Sequence, residues 1–480
     1  MFKPKIRNLS FTRFELLSTL FLFEFIIICA FLKDCYPYVL NLLGIAIYLY
    51  AIFTWKIRNE SEWFCPYSIF FTFFLLFNYG ICIMWAFGIH RSDEIGKTVM
   101  FFRSGYIPSR EDIADAQWYT CISMLIFHLG ALITSITKKK MNIVEELPQS
   151  KIIYQENTKK AMKIVGIVLL SIITPIAFAF RFKEVLIARK YGYIALYNSE
   201  YSTQSGYIPI ILFLFFPAIV CYLIGSNHSK ISQIISYAIF GIYAALSLLA
   251  GYRGAWLYSF IILIWLSSRY NKISIRKYFA YLVLLIIGIY ILDVIRNVRD
   301  SGFNFSIKDF FSLDRFPIIN AFFEMGDSMG IIVYFLNHGN EIYPYGNTYI
   351  TALLGAISSR FLDLLGLKQV FISNWFSQEY LGLSYGTGFS MIGEAYVNGG
   401  YFGGLIYIFI WGIFIGKLLQ YSKNNILSMP LRSFISVAGL NAVIGVSRNA
   451  CYLTIKELVY GVGFVCVLIW FCSNIFTNKR

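Results

Sequence analysis

The chain has 480 residues, of which 58% are hydrophobic and only 14% charged, and its formal net charge is +15. The mean hydropathy of +0.63 excludes a soluble globular protein and predicts an all-α, polytopic membrane helix bundle. A basic excess is expected from the cytoplasmic loops of such a protein, and no basic arm or nucleic-acid-binding module is present. We therefore expect no nucleic-acid partner.

Apolar runs predict about twelve membrane-spanning helices. They lie near residues 14–32, 38–55, 66–89, 117–137, 164–180, 207–225, 232–250, 254–268, 278–294, 393–416, 429–446 and 452–474. The first run is not followed by a small-residue cleavage site, so we expect it to be a retained span. An even number of spans places both termini on one side of the membrane.

The distribution of basic residues predicts which side of the membrane each connector occupies. Lysine-rich connectors at 138–163, 269–277 and 417–432 fall on the side of both termini, which is therefore predicted to be cytoplasmic. This side has 16 Lys and 7 Arg, whereas the outer side has 7 Lys and 11 Arg. The outer arginine excess favours an anionic ligand, because the planar guanidinium binds phosphate at two points. The alternative is that long outer loops escape the charge rule.

The chain is predicted to have three parts: residues 1–294 with nine spans, a large external loop at 295–392, and residues 393–480 with three spans. The loop contains apolar, helix-like segments at Ile318–Leu336 and Tyr349–Leu367 and is rich in aromatic residues. Aromatic side chains stack on sugar rings and also favour the lipid–water interface, and both interpretations remain open. We expect amphipathic helices that lie over the outer mouth of the bundle.

Two arginines lie at predicted outer turns between apolar runs. Arg253 stands in GYRGAWL and Arg448 in GVSRNACYL. A charge this close to hydrocarbon is costly, so such residues are usually functional or paired. The alternative for Arg253 is a turn residue whose side chain extends to the interface.

Two carboxylates are candidates for acid–base chemistry. Glu394 lies in the stretch Gly386–Lys417, whose glycine-dense first half indicates close backbone approach to a helix or a ligand. Glu324 lies in the apolar context NAFFEMGDSMG. A partly buried carboxylate can serve as a base near neutral pH, or it can neutralise a neighbouring arginine.

Further residues are predicted to bind substrate because they lie in outer connectors or at the start of the tenth span. They are Arg181, Arg189, Arg296, Arg299, Tyr396 and Asn398. The cysteines and histidines have no metal-ligand spacing, so we expect neither a metal nor another cofactor.

Several motifs together resemble the bacterial O-antigen polymerases of the Wzy type. They are YNSEYSTQSGYIPIILFLFFPA, GYRGAWL, EMGDSMG, GTGFSMIGEAYVNGGYFGG and GVSRNACYL, and their order and spacing extend over most of residues 180–475. The resemblance implies a multi-pass glycosyltransferase of the bacterial inner membrane. Such an enzyme polymerises undecaprenyl-diphosphate-linked oligosaccharide repeat units, which serve as donor and acceptor, at the periplasmic face.

By the same resemblance, Arg253 and Arg448 match arginines that face the diphosphate, and Glu324 and Glu394 match recurrent acids. Membrane lipids and a chain-length regulator protein are the other expected partners. Two alternatives remain open from the residues: a lipid-linked oligosaccharide flippase, which is a transporter, and an O-antigen ligase, which uses the same lipid donor.

Overall fold

The computed structural model describes most of the chain. The described residues are 17–29, 31, 37–59, 62–101, 104–136, 149–192, 195–196, 208–252, 254–270, 276, 279–280, 283, 287–288, 290, 316–368, 370–383, 386–420 and 429–478. Within these residues the structure is helical and has no β-strand, only an isolated bridge between Ile95 and Thr98.

The helices are numbered here in chain order. They are α1 Leu17–Cys29, α2 Pro37–Asn59, α3 Pro66–Ala86, α4 Arg110–Ile136, α5 Gln149–Tyr191, α6 Ile208–Leu212, α7 Phe215–Gly225, α8 Lys230–Leu249, α9 Ala255–Tyr270, α10 Pro317–Gly326, α11 Met329–His338, α12 Thr348–Ile357, α13 Ser359–Leu364, α14 Ile372–Asn374, α15 Met391–Leu418, α16 Pro430–Ile444, α17 Cys451–Lys456 and α18 Phe464–Asn478. A π-helical turn at Trp375–Tyr380 follows α14, and another at Glu457–Gly463 joins α17 to α18.

The described residues include 10 helical segments that are long and apolar enough to cross a membrane. This confirms an all-α polytopic bundle, although about twelve spans were expected. The helices α1 and α9 are shorter than a full span, and most of the predicted span at 278–294 lies outside the described residues.

One spanning-length segment, Pro317–His338, was predicted as part of the external loop. It comprises α10 and α11, which are separated by a break at Asp327–Ser328. The helix α10 packs against α3, and α11 packs against α4 and α15, so the segment belongs to the bundle. Pro317, at the first helical position, favours the start of α10 at this point.

Glycines allow the helices of this part of the bundle to approach closely. A Cβ at Gly412 of α15 would collide with the Phe127 carbonyl of α4, and a Cβ at Gly416 would lie 2.6 Å from the Ala131 Cα. These contacts explain the close packing of α15 on α4. The same helix bends at Gly400, whose φ of 62° and ψ of −158° are accessible essentially to glycine alone.

A second group of helices consists of α5, α7, α8 and α18. The helix α16 contacts α7 of this group and also α3 and α9. It therefore joins this group to α3, and Arg448, which follows its C-terminal end, lies beside Phe77 of α3.

Candidate functional site

Arg448 lies in a turn between α16 and α17. A short 3₁₀ turn at Gly445–Ser447 ends α16, and the Arg448 side chain is exposed. Its guanidinium carbon is 5.7 Å from the centroid of the Phe77 ring on α3. Gly388 passes beside it with a φ of +72°, and a Cβ there would be 3.8 Å from Arg448 Nε. Arg448 is thus placed between α3 and the segment that leads into α15.

A charged cleft with a volume of about 180 Å³ lies near this turn. It is lined by Ile81, Arg91, Asp93, Glu94, Ile95, Phe323, Glu324 and Asp327. The cleft therefore combines the C-terminal part of α3, the loop after it, and the break between α10 and α11. Arg448 interacts electrostatically with Asp327, which connects the turn to the cleft.

Arg91 is the cation that lines the cleft, and it is not among the site residues predicted from the sequence. Its Nε and Nη2 donate to the two carboxylate oxygens of Asp93 at 2.8 and 2.7 Å, and its Nη1 donates to Asn320 Oδ1 at 3.1 Å. The guanidinium carbon is 5.3 Å from the Phe323 ring centroid. The outer arginine excess included this residue, but nothing in the local sequence distinguished it from other loop arginines.

Glu94 holds the loop that presents Arg91. Its buried carboxylate accepts hydrogen bonds from Trp85 Nε1 at 2.8 Å and from the Arg91 N–H at 3.0 Å, and it pairs with Lys97 Nζ at 2.8 Å. Burial alone would raise the pKa of Glu94, but these hydrogen bonds and one with His90 keep that pKa below its usual value. Glu94 is therefore an anion that organises the loop.

Glu324, one of the two predicted acids, lines the cleft. It is half-buried on α10, and Asp327 lies exposed at the break that follows. The two carboxylates interact electrostatically with each other and Asp327 also with Arg91. The cleft thus brings one arginine, Arg91, together with the carboxylates of Asp93, Glu94, Glu324 and Asp327.

Glu394, the other predicted acid, is 1% exposed near the start of α15. Its Oε1 accepts from Thr348 Oγ1 at 2.6 Å and its Oε2 from the Cys451 N–H at 2.7 Å. Asn398, one turn later, donates to Thr348 Oγ1 and to the Glu394 carbonyl, both at 2.7 Å. Tyr396 is half-buried and packs edge-on against Tyr119 of α4, with ring centroids 5.8 Å apart.

The remaining predicted binding residues are not collected in the cleft. Arg181 Nη1 pairs with the buried Glu184 at 2.6 Å, and its Nε and Nη2 donate to Tyr243 Oη at 3.0 and 2.7 Å. Arg189 is exposed near the end of α5. Arg253, Arg296 and Arg299 lie outside the described residues.

In the part of the chain that the structure describes, no group of three or more His, Cys, Asp or Glu residues is arranged to hold a metal ion. The charged side chains that line the cleft are those of Arg91, Asp93, Glu94, Glu324 and Asp327.

The fold and the cleft together define a multi-pass membrane protein in which one arginine and several carboxylates line a cleft. The family model for the O-antigen polysaccharide polymerase Wzy matches residues 14–480, nearly the whole chain. The chain belongs to this family, which confirms the resemblance. No curated protein and no solved structure matches the chain significantly. Family membership indicates a membrane O-antigen polymerase, rather than the flippase or the ligase left open by the residues.

Proposed function

We propose that the protein is a metal-independent glycosyltransferase that joins oligosaccharide repeat units carried on undecaprenyl diphosphate. The reaction takes place at the periplasmic face of the bacterial inner membrane, and both termini are cytoplasmic. The observation that carries this proposal is the cleft in which Arg91, Glu324 and Asp327 meet beside Arg448.

The arginines bind the diphosphate of the lipid-linked donor. Arg448 is exposed and carries no salt bridge among the described residues, so its guanidinium is available to a phosphate group. By the family resemblance, Arg253 supplies a second guanidinium group to the diphosphate. A diphosphate leaving group develops negative charge as its bond to the sugar breaks, and preorganised arginines stabilise that charge without a metal.

In the proposed reaction one bond forms and one breaks. The hydroxyl oxygen of the acceptor repeat unit forms a new bond to the anomeric carbon of the growing glycan. The bond from that carbon to the diphosphate oxygen breaks, and its electron pair leaves with undecaprenyl diphosphate. The hydroxyl proton passes to Glu324, the half-buried acid in the cleft, and Asp327 lies beside it to orient the acceptor.

The outer arginines Arg189, Arg296 and Arg299 and the aromatic Tyr396 are proposed to bind the glycan and lipid rather than to take part in chemistry. Their position in outer connectors, or at the head of α15, supports this role. A chain-length regulator protein is a proposed partner, and the membrane lipids surround the bundle.

Reconstitution tests the reaction. Purified protein in liposomes, supplied with undecaprenyl-diphosphate-linked repeat units and EDTA, is expected to produce a ladder of glycans and an equivalent amount of undecaprenyl diphosphate. A strain that lacks the protein should carry lipid A with a single repeat unit. Lipid A without any repeat unit would contradict polymerisation, and a ladder that requires a divalent cation would contradict metal independence.

Cysteine labelling in intact cells tests the topology. A cysteine replacing the exposed Glu341, between α11 and α12, should react with a membrane-impermeant thiol reagent. A cysteine replacing the exposed Met429, before α16, should react only after lysis. The parent protein controls for its native cysteines. The reverse pattern would refute the proposed orientation.

A further inference from the structure

The turn that carries Arg448 is held through its main chain by other parts of the bundle. The Arg448 carbonyl oxygen accepts from the Phe389 N–H at 2.7 Å. The preceding carbonyl, of Ser447, accepts from Asn78 Nδ2 of α3 at 3.2 Å. Two successive carbonyl groups are thus held by two different segments, so the backbone position of Arg448 is fixed.

A third hydrogen bond holds the other end of the turn. The Cys451 N–H, at the start of α17, donates to Glu394 Oε2. The second oxygen of that carboxylate is occupied by Thr348 Oγ1, which also accepts from Asn398. Because Glu394 is 1% exposed and both its oxygens accept hydrogen bonds, the geometry favours an orienting role over a proton-accepting one.

The side chains that hold the turn are also joined to one another. Asn78 is fully buried, and its Oδ1 accepts from Ser390 Oγ at 2.6 Å. Ser390 is the N-cap of α15, since its Oγ accepts from the Ile392 and Gly393 N–H groups at 3.2 Å each. The start of α15, the middle of α3 and the Arg448 turn are therefore one hydrogen-bonded unit.

From this network we infer that Asn78, Ser390 and Glu394 are positioning residues that act on the reaction through Arg448. The inference rests on the proposed function, because it requires Arg448 to contact the diphosphate. None of the three side chains lines the cleft. Their effect is to hold the guanidinium where charge develops, and a displacement of about 1 Å at such a group can cost about 100-fold in rate.

A double-mutant cycle tests this inference on the full-length protein in detergent, with undecaprenyl diphosphate as the probe. Asn78→Ala is expected to raise the Kd about tenfold in the parent protein. In the Arg448→Lys background the same substitution should raise the Kd less than about twofold, because the effects of residues that act as a unit are not additive. The matched control is Asn41→Ala, which removes a buried hydrogen bond of 2.6 Å to Gln117 elsewhere in the bundle.

The control should change the Kd by the same factor in both backgrounds. Equal weakening by Asn78→Ala in both backgrounds, or no weakening in the parent, would overturn the positioning role. An unchanged Kd in Arg448→Lys alone would instead refute the diphosphate contact of the proposed function.

Glu394 offers a second, independent test. In Glu394→Gln the amide oxygen can accept from the Cys451 N–H while the amide nitrogen donates to Thr348 Oγ1, so the turn stays held. We expect turnover within about threefold of the parent for this variant and at least about tenfold lower for Glu394→Ala, as for other orienting residues. If both variants lose turnover equally while their melting temperatures match the parent, the carboxylate charge itself takes part and the inference fails for Glu394.

Discussion

Gly80 of α3 and Gly326 of α10 pack backbone to backbone. A Cβ on Gly80 would lie 2.8 Å from the Phe322 carbonyl oxygen, and a Cβ on Gly326 would overlap the Ile81 amide nitrogen. Gly326 directly precedes Asp327, and Ile81 lines the same cleft. The close contact of the two helices therefore places Ile81 and Asp327 at the same cleft.

Gly326→Ala is expected to destabilise the protein and to disrupt the cleft. The added methyl group must push α10 away from α3, and overpacking of this kind costs about 1–3 kcal/mol. The measurement is the melting temperature of the purified protein together with polymer length in cells. Gly241→Ala on α8, where nothing lies within 4 Å of a new Cβ, is the control and should not lower stability. Equal melting temperatures for Gly326→Ala and the parent would contradict the close packing.

Arg91→Gln is expected to raise the KM for the lipid-linked repeat unit about tenfold or more. A hydrogen bond to a charged group contributes about 1.5–3 kcal/mol, and each 1.4 kcal/mol corresponds to a factor of ten in affinity. Steady-state kinetics in liposomes provide the measurement. Arg110→Gln, an exposed arginine at the start of α4, is the control and should leave the KM unchanged. A reduced kcat at constant KM would show that Arg91 acts in the chemical step instead.

Arg181→Gln is expected to act on stability more than on substrate binding. Glu184 is 1% exposed, and removing its charged partner leaves an anion in the bundle, which typically costs about 3–5 kcal/mol. Its melting temperature should fall, and the double variant Arg181→Gln/Glu184→Gln should recover much of the loss. Arg189→Gln, at an exposed position, should instead raise the KM with little change in melting temperature. A raised KM and parent-like stability in Arg181→Gln would restore its predicted binding role.

The sequence allowed the class of fold to be predicted because apolar length is a local property, and most spans in the structure coincide with apolar runs. It did not identify Pro317–His338 as a spanning-length segment, because Glu324 and Asp327 interrupt its apolar character. The charges that lowered its hydropathy are those that line the cleft.

The candidate site was predicted only in part, because its contacts join distant positions. Asn78 and Ser390 are 312 residues apart, and Asn78 and Ser447 are 369 apart. Nothing near Asn78 in the sequence indicates either partner. Glu394 was predicted from its local context. Its burial and its hydrogen bond from the Cys451 N–H depend on where α17, which begins at Cys451, packs in the bundle.

The pH dependence of stability should show the contribution of Glu94. Its folded-state pKa lies below the ordinary value of 4.5, so its hydrogen bonds stabilise the protein above that pH. The contribution should be lost as the pH falls from about 4.5 through the lowered pKa. The measurement compares melting temperatures of the parent and Glu94→Gln between pH 7 and pH 3, and the difference should shrink on acidification. A difference that stays constant over this range would contradict the assignment.

Arg448→Lys and Arg253→Lys are both expected to reduce polymerisation substantially. A diphosphate presents oxygens that a guanidinium fork can bind at two points, whereas an ammonium group retains only the charge. Removing a contact that strengthens in the transition state typically costs about 3–4 kcal/mol, or about 10²–10³ in rate. Arg448 is exposed and interacts electrostatically with Asp327 of the cleft, as this role requires, and Arg253 shares the role by resemblance. The measurement is the distribution of polymer lengths in cells at matched amounts of membrane protein, with the exposed Arg360→Lys as the control for the substitution itself. Melting temperatures separate loss of function from loss of folding. Full-length polymer from either lysine variant would show that charge alone suffices there, and the two-point diphosphate contact would have to be abandoned for that arginine.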